Sequence, residues 1–314
     1  MLRYIVKRIL YFIPTLLLVG LIVFFLGHFI PGDPAVVMLG EDASQEDLAA
    51  LRIELGLDKS VAVQFFSWMG RVLRGDFGSS IHTKRPVIQS VRERFPVTIT
   101  LTTLAMIFSL ILAIPSGIMA AVYQNSRKDY LFMLASILGV SIPGFWLGLM
   151  ALLIFSVNLG WFPCTGFVSI YEDVFEGLRY MILPSITLGL FMAAVVARMI
   201  RSSMLEVLRL EYVTHARAKG LSEWKVITKH ALKTAFAPTL TTIGMQYGFL
   251  LGGAVVTETV FSLPGLGKYM VVSIYMRDYP VVQGCILFVA IVYGVINLVV
   301  DLLYSYFDPR ITYE

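Results

Sequence analysis

The tetrapeptide GLGK at residues 265–268 is the run that most invites a nucleotide chemistry. A phosphate-cradling loop needs G-x-x-x-x-G-K and then Ser or Thr, so that backbone N–H groups and a lysine surround the phosphates while a hydroxyl holds the metal. Counting back from Gly267, the place of the first glycine holds Ser262, and Lys268 is followed by Tyr269. The spacing excludes the motif, and any nucleotide chemistry falls to another polypeptide. The four histidines, His28, His82, His215 and His230, are scattered, and none forms a helical H-x-x-x-H pair, so no zinc-type site is read. Cys164 and Cys285 show neither metal nor redox spacing, and only parity favours a disulfide between them. The methionines are dispersed and read as packing. No Ser/His/acid or paired-carboxylate arrangement is visible. No catalytic residue and no metal ligand is assigned.

Ionisable side chains inside the apolar segments are equally few. Glu258 and Asp301 lie near opposite ends of such segments, and Arg198 lies at another end. A carrier driven by a proton or sodium gradient places carboxylates or histidines near the membrane midplane. Their scarcity weighs against that mechanism. A membrane enzyme would need a buried nucleophile or metal set, which the sequence does not offer.

The elements around these residues are set by hydropathy. Of 314 residues, 57% are hydrophobic, which is not the composition of an ordinary soluble domain. Apolar runs of about 20 residues recur, the length needed to cross a bilayer as helix. We read six spans, at 9–29, 97–122, 130–157, 181–197, 236–256 and 281–303. Arg3, Lys7 and Arg8 precede the first. Its apolar core is too long for a signal peptide and no A-x-A site follows, so it is an uncleaved span with its basic end in the cytoplasm. Residues 198–233 carry eight basic residues against three acidic ones, which places the 198–235 loop in the cytoplasm as well. The expected fold is an all-α membrane protein of six transmembrane helices, multi-pass, with both termini cytoplasmic. Residues 1–30 form the cytoplasmic end and first span, 31–96 an external cap, 97–307 the core and 308–314 a cytoplasmic tail. The cap carries several arginines, but the charge rule weakens for segments longer than about 60 residues.

Turn chemistry punctuates this frame. PGDP at 31–34 stops the first helix. Ser44 caps an amphipathic helix over 45–55, with Leu48, Leu51 and Leu55 on one face and Gly56 closing it. A second helix is expected over 61–73, and GDFGSS at 75–80 is a turn. SIPGFWLG at 141–148 interrupts the third span, where Pro143 and Gly144 kink it. Irregular backbone at membrane depth survives only against protein or a wet cavity, so this kink faces the pathway or a partner. Gly244, Gly248 and Gly252 recur every four residues, a small-residue stripe for close helix packing. Ser141, Phe145, Trp146, Gln246 and Tyr247 are candidate pathway residues from kink and polarity. Helix packing explains each of them as well.

The polar, basic run at 211–235 is read as two helical pieces. Ala216, Arg217, Ala218 and Lys219 favour helix, Gly220 can take the left-handed conformation that ends it, and Ser222 can cap the next, with Glu223 in its first turn. Tyr212, Ala216 and Gly220 fall at i, i+4 and i+8 and share one face. That face is small and smooth at its C-terminal end, open to close approach by another protein. Arg209, His215, Arg217 and Lys219 surround it. The patch has no interleaved aromatics and adjoins a membrane, so nucleic acid is not its partner.

ARAKG at 216–220 followed by KHALKTA at 229–235 resembles the cytoplasmic EAA loop of binding-protein-dependent ABC importer permeases. The resemblance is to the branch carrying dipeptides, oligopeptides, glutathione or nickel. PGDP, ELGLD, GDFGSS and RPV in the cap, and PGLGKY, RDYPVVQ, VDLLY and DPRI near the C-terminal end, extend it over the whole chain. The generic loop has Glu-Ala-Ala ending four residues before the glycine. Here Thr214, His215 and Ala216 stand there, only the last matching, and the nearest acid is Glu211.

The resemblance implies a type I importer permease, the first permease subunit of a heteromeric pair. Its loop residues Glu211, Tyr212, Ala216, Arg217, Ala218, Lys219 and Gly220 would form a coupling helix docked on a separate ATPase. It implies as partners a second permease chain, two ATPase subunits holding ATP and magnesium, a periplasmic or lipid-anchored substrate-binding protein and membrane lipid, in a bacterial inner membrane. No cofactor would bind this chain directly, and the chain would not itself be an enzyme. The expected substrate is a short peptide or glutathione-like molecule. A nickel chelate is the alternative, and an ion-coupled carrier a more distant one.

Overall fold

A computed structural model describes residues 2–29, 34–40, 42–54 and 56–307. The expected helix stop at 31–33 and the tail at 308–314 lie outside the described residues, as does Leu55. In order, the helices are α1 (Leu2–Phe29), α2 (Pro34–Leu39), α3 (Gln45–Glu54), α4 (Val61–Leu73), α5 (Val87–Val122), α6 (Arg127–Ser141) and α7 (Gly144–Ala151). A π-helical segment, Leu152–Asn158, continues α7. Then come α8 (Val174–Val207), α9 (Glu211–Ala218) and α10 (Glu223–Lys225). The last runs through a π-helical turn, Val226–Ala231, into α11 (Leu232–Val260). The chain ends in α12 (Leu266–Tyr275) and α13 (Tyr279–Phe307). No strand is assigned among the described residues.

Four stretches are long and apolar enough to cross a membrane: α5, α8, the continuous helix Glu223–Val260 and α13. The pair α6/α7 is a fifth if its two halves form one span, bent by 96°. Proline explains the bend. Pro143 pushes its predecessor out of the helical region, and Ile142 sits at φ −81, ψ 125. In α1 the apolar run among described side chains is Leu10–Leu26. Helices α5 and α8, at 36 and 34 residues, outrun the spans expected at 97–122 and 181–197. Hydropathy marks the stretch facing lipid, whereas helical hydrogen bonding continues through the polar turns on either side.

The chain divides into two compact units. The first comprises Met1–Ile5, Val97–Lys268 and Val295–Glu314. Helix α8 is its centre, packing against α6, α7 and α11. Its buried face is built of Met192, Val196, Ala197, Ile200 and Met204, which meet Ala105 and Ala113 of α5 in one cluster. Small side chains let these helices approach closely, the usual currency of helix association where lipid is as apolar as leucine.

The second unit comprises Val6–Pro96 and Tyr269–Gly294. Ser44 caps α3 as expected: Asp47 N–H donates to its Oγ at 3.1 Å, and its own hydroxyl donates to the Asp47 carboxylate at 2.7 Å. Gly56 ends the helix in the left-handed region, φ +69. Phe24 of α1 packs edge-on against Phe65 of α4 at 5.4 Å and lies 5.7 Å from the Trp68 ring. Within this unit the loop after α4 is pinned to the turn before α13. The buried Asp278 carboxylate accepts from Ser80 Oγ at 2.5 Å and from Ile81 N–H at 3.1 Å. The His82 Nε2 lies 2.8 Å from the Met276 carbonyl oxygen.

Candidate functional site

The polar loop between α8 and α11 is shorter and stiffer than its sequence limits imply. Its first ten residues belong to α8, and from Glu223 onward the chain is already the next long helix. What remains is α9 and one turn. Glu211 opens α9, exposed, where a carboxylate complements the helix dipole. Gly220, at φ +75, ends the helix, and its N–H donates to the Arg217 carbonyl at 2.9 Å. A side chain is disfavoured in that conformation. Ser222 holds the capping position before α10, but its hydroxyl makes no cap hydrogen bond.

An ion pair bridges the glycine turn. Arg217 Nε donates to Glu223 Oε2 at 3.1 Å and Nη2 donates to Oε1 at 2.8 Å, a two-pronged contact. Planar guanidinium and carboxylate match in this geometry, which fixes orientation as well as distance. The hydrogen bonds to Glu223 push the Arg217 pKa above its ordinary value, against partial desolvation. Arg217 therefore carries its charge at every relevant pH.

Of the three residues expected on the open face, Ala216 turns inward while Tyr212 and Gly220 stay exposed. Ala216 is 7% exposed, and with Val213 it packs into the chain's own cluster against Val226, Ile227 and Ala231. Two apolar residues at i and i+3 on an eight-residue helix outweigh the smooth i, i+4, i+8 stripe. Tyr212 is half-turned to the same side, its hydroxyl donating toward the His230 carbonyl at 3.3 Å and lying 3.0 Å from Thr234 Oγ1. The surface left open carries Thr214, His215, Arg217, Ala218, Lys219 and Gly220. Beyond the turn, Leu221 and Trp224 extend it, Trp224 being 72% exposed.

A second polar centre lies at the far end of α11. Glu258 is fully buried, and its carboxylate accepts from Thr98 Oγ1 at 2.5 Å and from Lys268 N–H at 2.8 Å. The Thr98 oxygen in turn accepts from Leu266 N–H at 2.9 Å. The GLGK run is thus a receptor after all, and what it receives is a carboxyl side chain of the same polypeptide. The first turn of α12 presents free N–H groups, and Glu258 fills them. This also explains Gly265, because a methyl group there would fall on the Glu258 carboxylate. Sequence reading placed Glu258 near a membrane edge but had no signal for a partner 160 residues away.

A third polar centre joins α6 to α8. Asp129, 2% exposed, accepts from Arg201 Nε and Nη2, both at 2.7 Å, and from Asn125 N–H at 3.0 Å. Sequence reading assigned Arg201 only to the basic end of a span.

The candidate pathway residues do not assemble. The Ser141 hydroxyl donates to the Ile137 carbonyl of its own helix at 2.8 Å, and Phe145 and Trp146 are exposed. The Tyr247 hydroxyl lies 2.7 Å from Thr103 Oγ1 on α5, while the Gln246 Oε1 is buried without a partner. No hydrogen bond or ring contact joins the first three residues to the last two among the described residues. The glycine stripe also splits. A Cβ at Gly244 would lie 2.7 Å from both γ carbons of Val300, whereas one at Gly252 would meet nothing within 4 Å. Of these two, Gly244 receives a close neighbour of the kind expected. Cys164 and Cys285 are both free, one exposed and one buried, so the pairing left open by parity does not occur. Among the described residues no group of three or more His, Cys, Asp or Glu is placed to hold a metal.

Comparison with known proteins decides what kind of protein carries these features. Residues 113–313 match the family described as binding-protein-dependent transport system inner membrane component, and residues 1–102 match the N-terminal family of the same components. The chain belongs to this family. It is a multi-pass inner-membrane permease component of a binding-protein-dependent ABC importer.

This permease is 45% identical over 333 aligned residues to the dipeptide transport system permease protein of Alkalihalophilus pseudofirmus, covering all of both chains. It is likewise 45% identical over 314 residues to the glutathione transport system permease protein of Salmonella typhimurium, again covering all of both. Among solved structures, a chain from inward-facing conformations of the MetNI methionine ABC transporter matches with TM-score 0.59 and 17% identity. That match covers 70% of this permease and 97% of the other chain, and it shows the importer-permease fold. The family confirms the resemblance read from ARAKG, KHALKTA and the shorter tags. Importers of this kind work with ATPase and substrate-binding partners, and the family is one of transport components.

Proposed function

We propose that this permease forms half of the pathway of an ATP-driven importer for short peptides, with a second permease chain as the other half. The observation that carries this is full-length identity at one level to both a dipeptide and a glutathione permease. Glutathione is itself a small peptide, so both names point to one substrate class. Two ATPase subunits hold and hydrolyse ATP with magnesium, and an external binding protein delivers the peptide. Six crossings, with α1 as the first, place both termini and the α8–α11 loop in the cytoplasm.

In this reading α9 and the Gly220 turn are the handle gripped by the ATPase. Ala218, Lys219, Leu221 and Trp224 present the contact surface, and Glu211 lies at its edge. Val213, Ala216 and Tyr212 tie the handle to the permease core. The Arg217–Glu223 bridge supports this division, because a handle must be stiff to transmit force. When the ATPases close, the handles tilt and the helical bundles rock as rigid bodies, switching the cavity between sides.

The test is uptake of a radiolabelled dipeptide by cells with matched membrane levels of permease. Gly220→Val puts a β-branched residue where φ is positive, and Ala218→Arg adds bulk on the open face. Uptake should fall at least tenfold in each, and a photoreactive residue at Lys219 should crosslink to the ATPase. Normal uptake in both variants, or a loop that only external reagents label, would refute the reading. Ala216→Arg cannot serve here, because it would bury a charge in the core.

A further inference from the structure

The second unit contains a cavity of about 490 Å³ that the transport reading does not use. Its lining includes the aromatic rings of Phe24 of α1, Trp68 of α4 and Tyr279 at the start of α13. Lys59, Arg71 and Lys84 also line it, and among the described residues Asp76 is the single acid of the lining. None of the three cations forms an ion pair with another described residue. Asp76 is already engaged, accepting from Gly78 N–H at 2.9 Å.

One of the cations is held in place by the backbone. Lys84 lies in the left-handed region, φ +56, and its N–H donates to the Ser80 carbonyl at 3.0 Å. Ser80 is in turn fixed by Asp278, and Ser80 N–H donates to the Arg85 carbonyl at 3.0 Å. Non-glycine residues seldom adopt that conformation without surrounding support. The loop therefore presents Lys84 at the cavity in a set orientation.

The location narrows the ligand. Phe24 lies five residues before the end of α1, and Tyr279 is the first residue of α13. On the proposed six-span topology the cavity sits where two apolar helices stop, at the level where hydrocarbon gives way to head groups. A ligand with an anionic head and an apolar tail matches a lining that combines three cations with aromatic rings.

We propose that this cavity binds an anionic phospholipid, its phosphate held by Lys59, Arg71 and Lys84 and an acyl chain laid along Phe24 and Trp68.

The experiment uses the full-length permease purified in detergent and titrated with phosphatidylglycerol, phosphatidylcholine or inorganic phosphate, with retained ligand counted by native mass spectrometry. Phosphatidylglycerol should bind at least about tenfold more tightly than phosphatidylcholine. The triple variant Lys59→Gln/Arg71→Gln/Lys84→Gln should lose affinity by about a hundredfold, roughly fivefold per charge. Lys59→Arg/Arg71→Lys/Lys84→Arg should keep the preference, and an unchanged thermal midpoint in both variants shows that the fold is intact. Equal retention of the two lipids, or an unchanged preference in the glutamine variant, overturns the proposal. Displacement of phosphatidylglycerol by an equal concentration of inorganic phosphate overturns the lipid as the source of the anion. So does retention of an acidic peptide in preference to phosphatidylglycerol.

Discussion

Thr98→Val removes one hydroxyl and almost no volume, and it should cost this permease far more than an ordinary buried substitution of that size. The hydroxyl does two things at once. It donates to the fully buried Glu258 at 2.5 Å, and it accepts from Leu266 N–H at 2.9 Å. A typical intramolecular hydrogen bond contributes about 0.5–1.5 kcal/mol, and a buried donor left without a partner costs about 1–3 kcal/mol. The extra buried methyl offsets about 0.8 kcal/mol. The net loss is about 2 kcal/mol. For a chain of this size each kcal/mol corresponds to roughly 2 °C in midpoint, so the expected shift is about 4 °C. Thr98→Ser keeps the hydroxyl and loses only the methyl, for about 1 kcal/mol, or roughly 2 °C. The assay is the temperature at which half the detergent-solubilised permease survives as a monodisperse peak after heating. A Thr98→Val midpoint within about 1 °C of the parent, or a Ser variant as damaged as the Val one, would refute the carboxyl-receptor account.

The same assay checks three further substitutions. Asp129→Asn leaves the Arg201 guanidinium with a neutral partner and should cost about 3 kcal/mol. Adding Arg201→Met to it should recover part of that loss, a coupling a double-mutant cycle would measure. Gly265→Ala drives a methyl into the Glu258 carboxylate and should cost about 1–3 kcal/mol, the usual range for overpacking. Gly244→Ala should destabilise the permease by a comparable amount against Val300, whereas Gly252→Ala should leave the isolated chain within about 0.5 kcal/mol of the parent. Equal effects at the two glycines would contradict the split stripe.

Much of the fold was legible because the bilayer imposes a length. Runs near 20 apolar residues marked α5, α8, α11 and α13, and Pro143 marked the break between α6 and α7. Gly220 and Gly56 were readable as helix ends because positive φ leaves few alternatives to glycine. The loop could be located but not oriented. Ala216 was read by size, as a smooth patch, whereas burial was decided by Val213 three residues earlier. The two buried carboxylates were the least legible features. Asp129 meets Arg201 across 72 positions and Glu258 meets Thr98 across 160. No periodic pattern records such a pairing, and the basic residue in the first case looked like a topology marker. The pathway residues are a related case. Kink and polarity identify positions that need an explanation, and here Ser141 and Tyr247 find theirs in hydrogen bonds within the chain.

The helix from Glu223 to Val260 has 38 residues. At 1.5 Å per residue it is about 57 Å long, nearly twice the hydrocarbon thickness of about 30 Å. Arg217 clasps one tip and the Thr98–Leu266 receptor clasps the other. Such a member behaves as an oar in an oarlock: a 5° swing about its middle carries each blade about 2.5 Å, in opposite directions. On the proposed reading, a small stroke delivered at the Gly220 end would reappear, reversed, where Glu258 is moored.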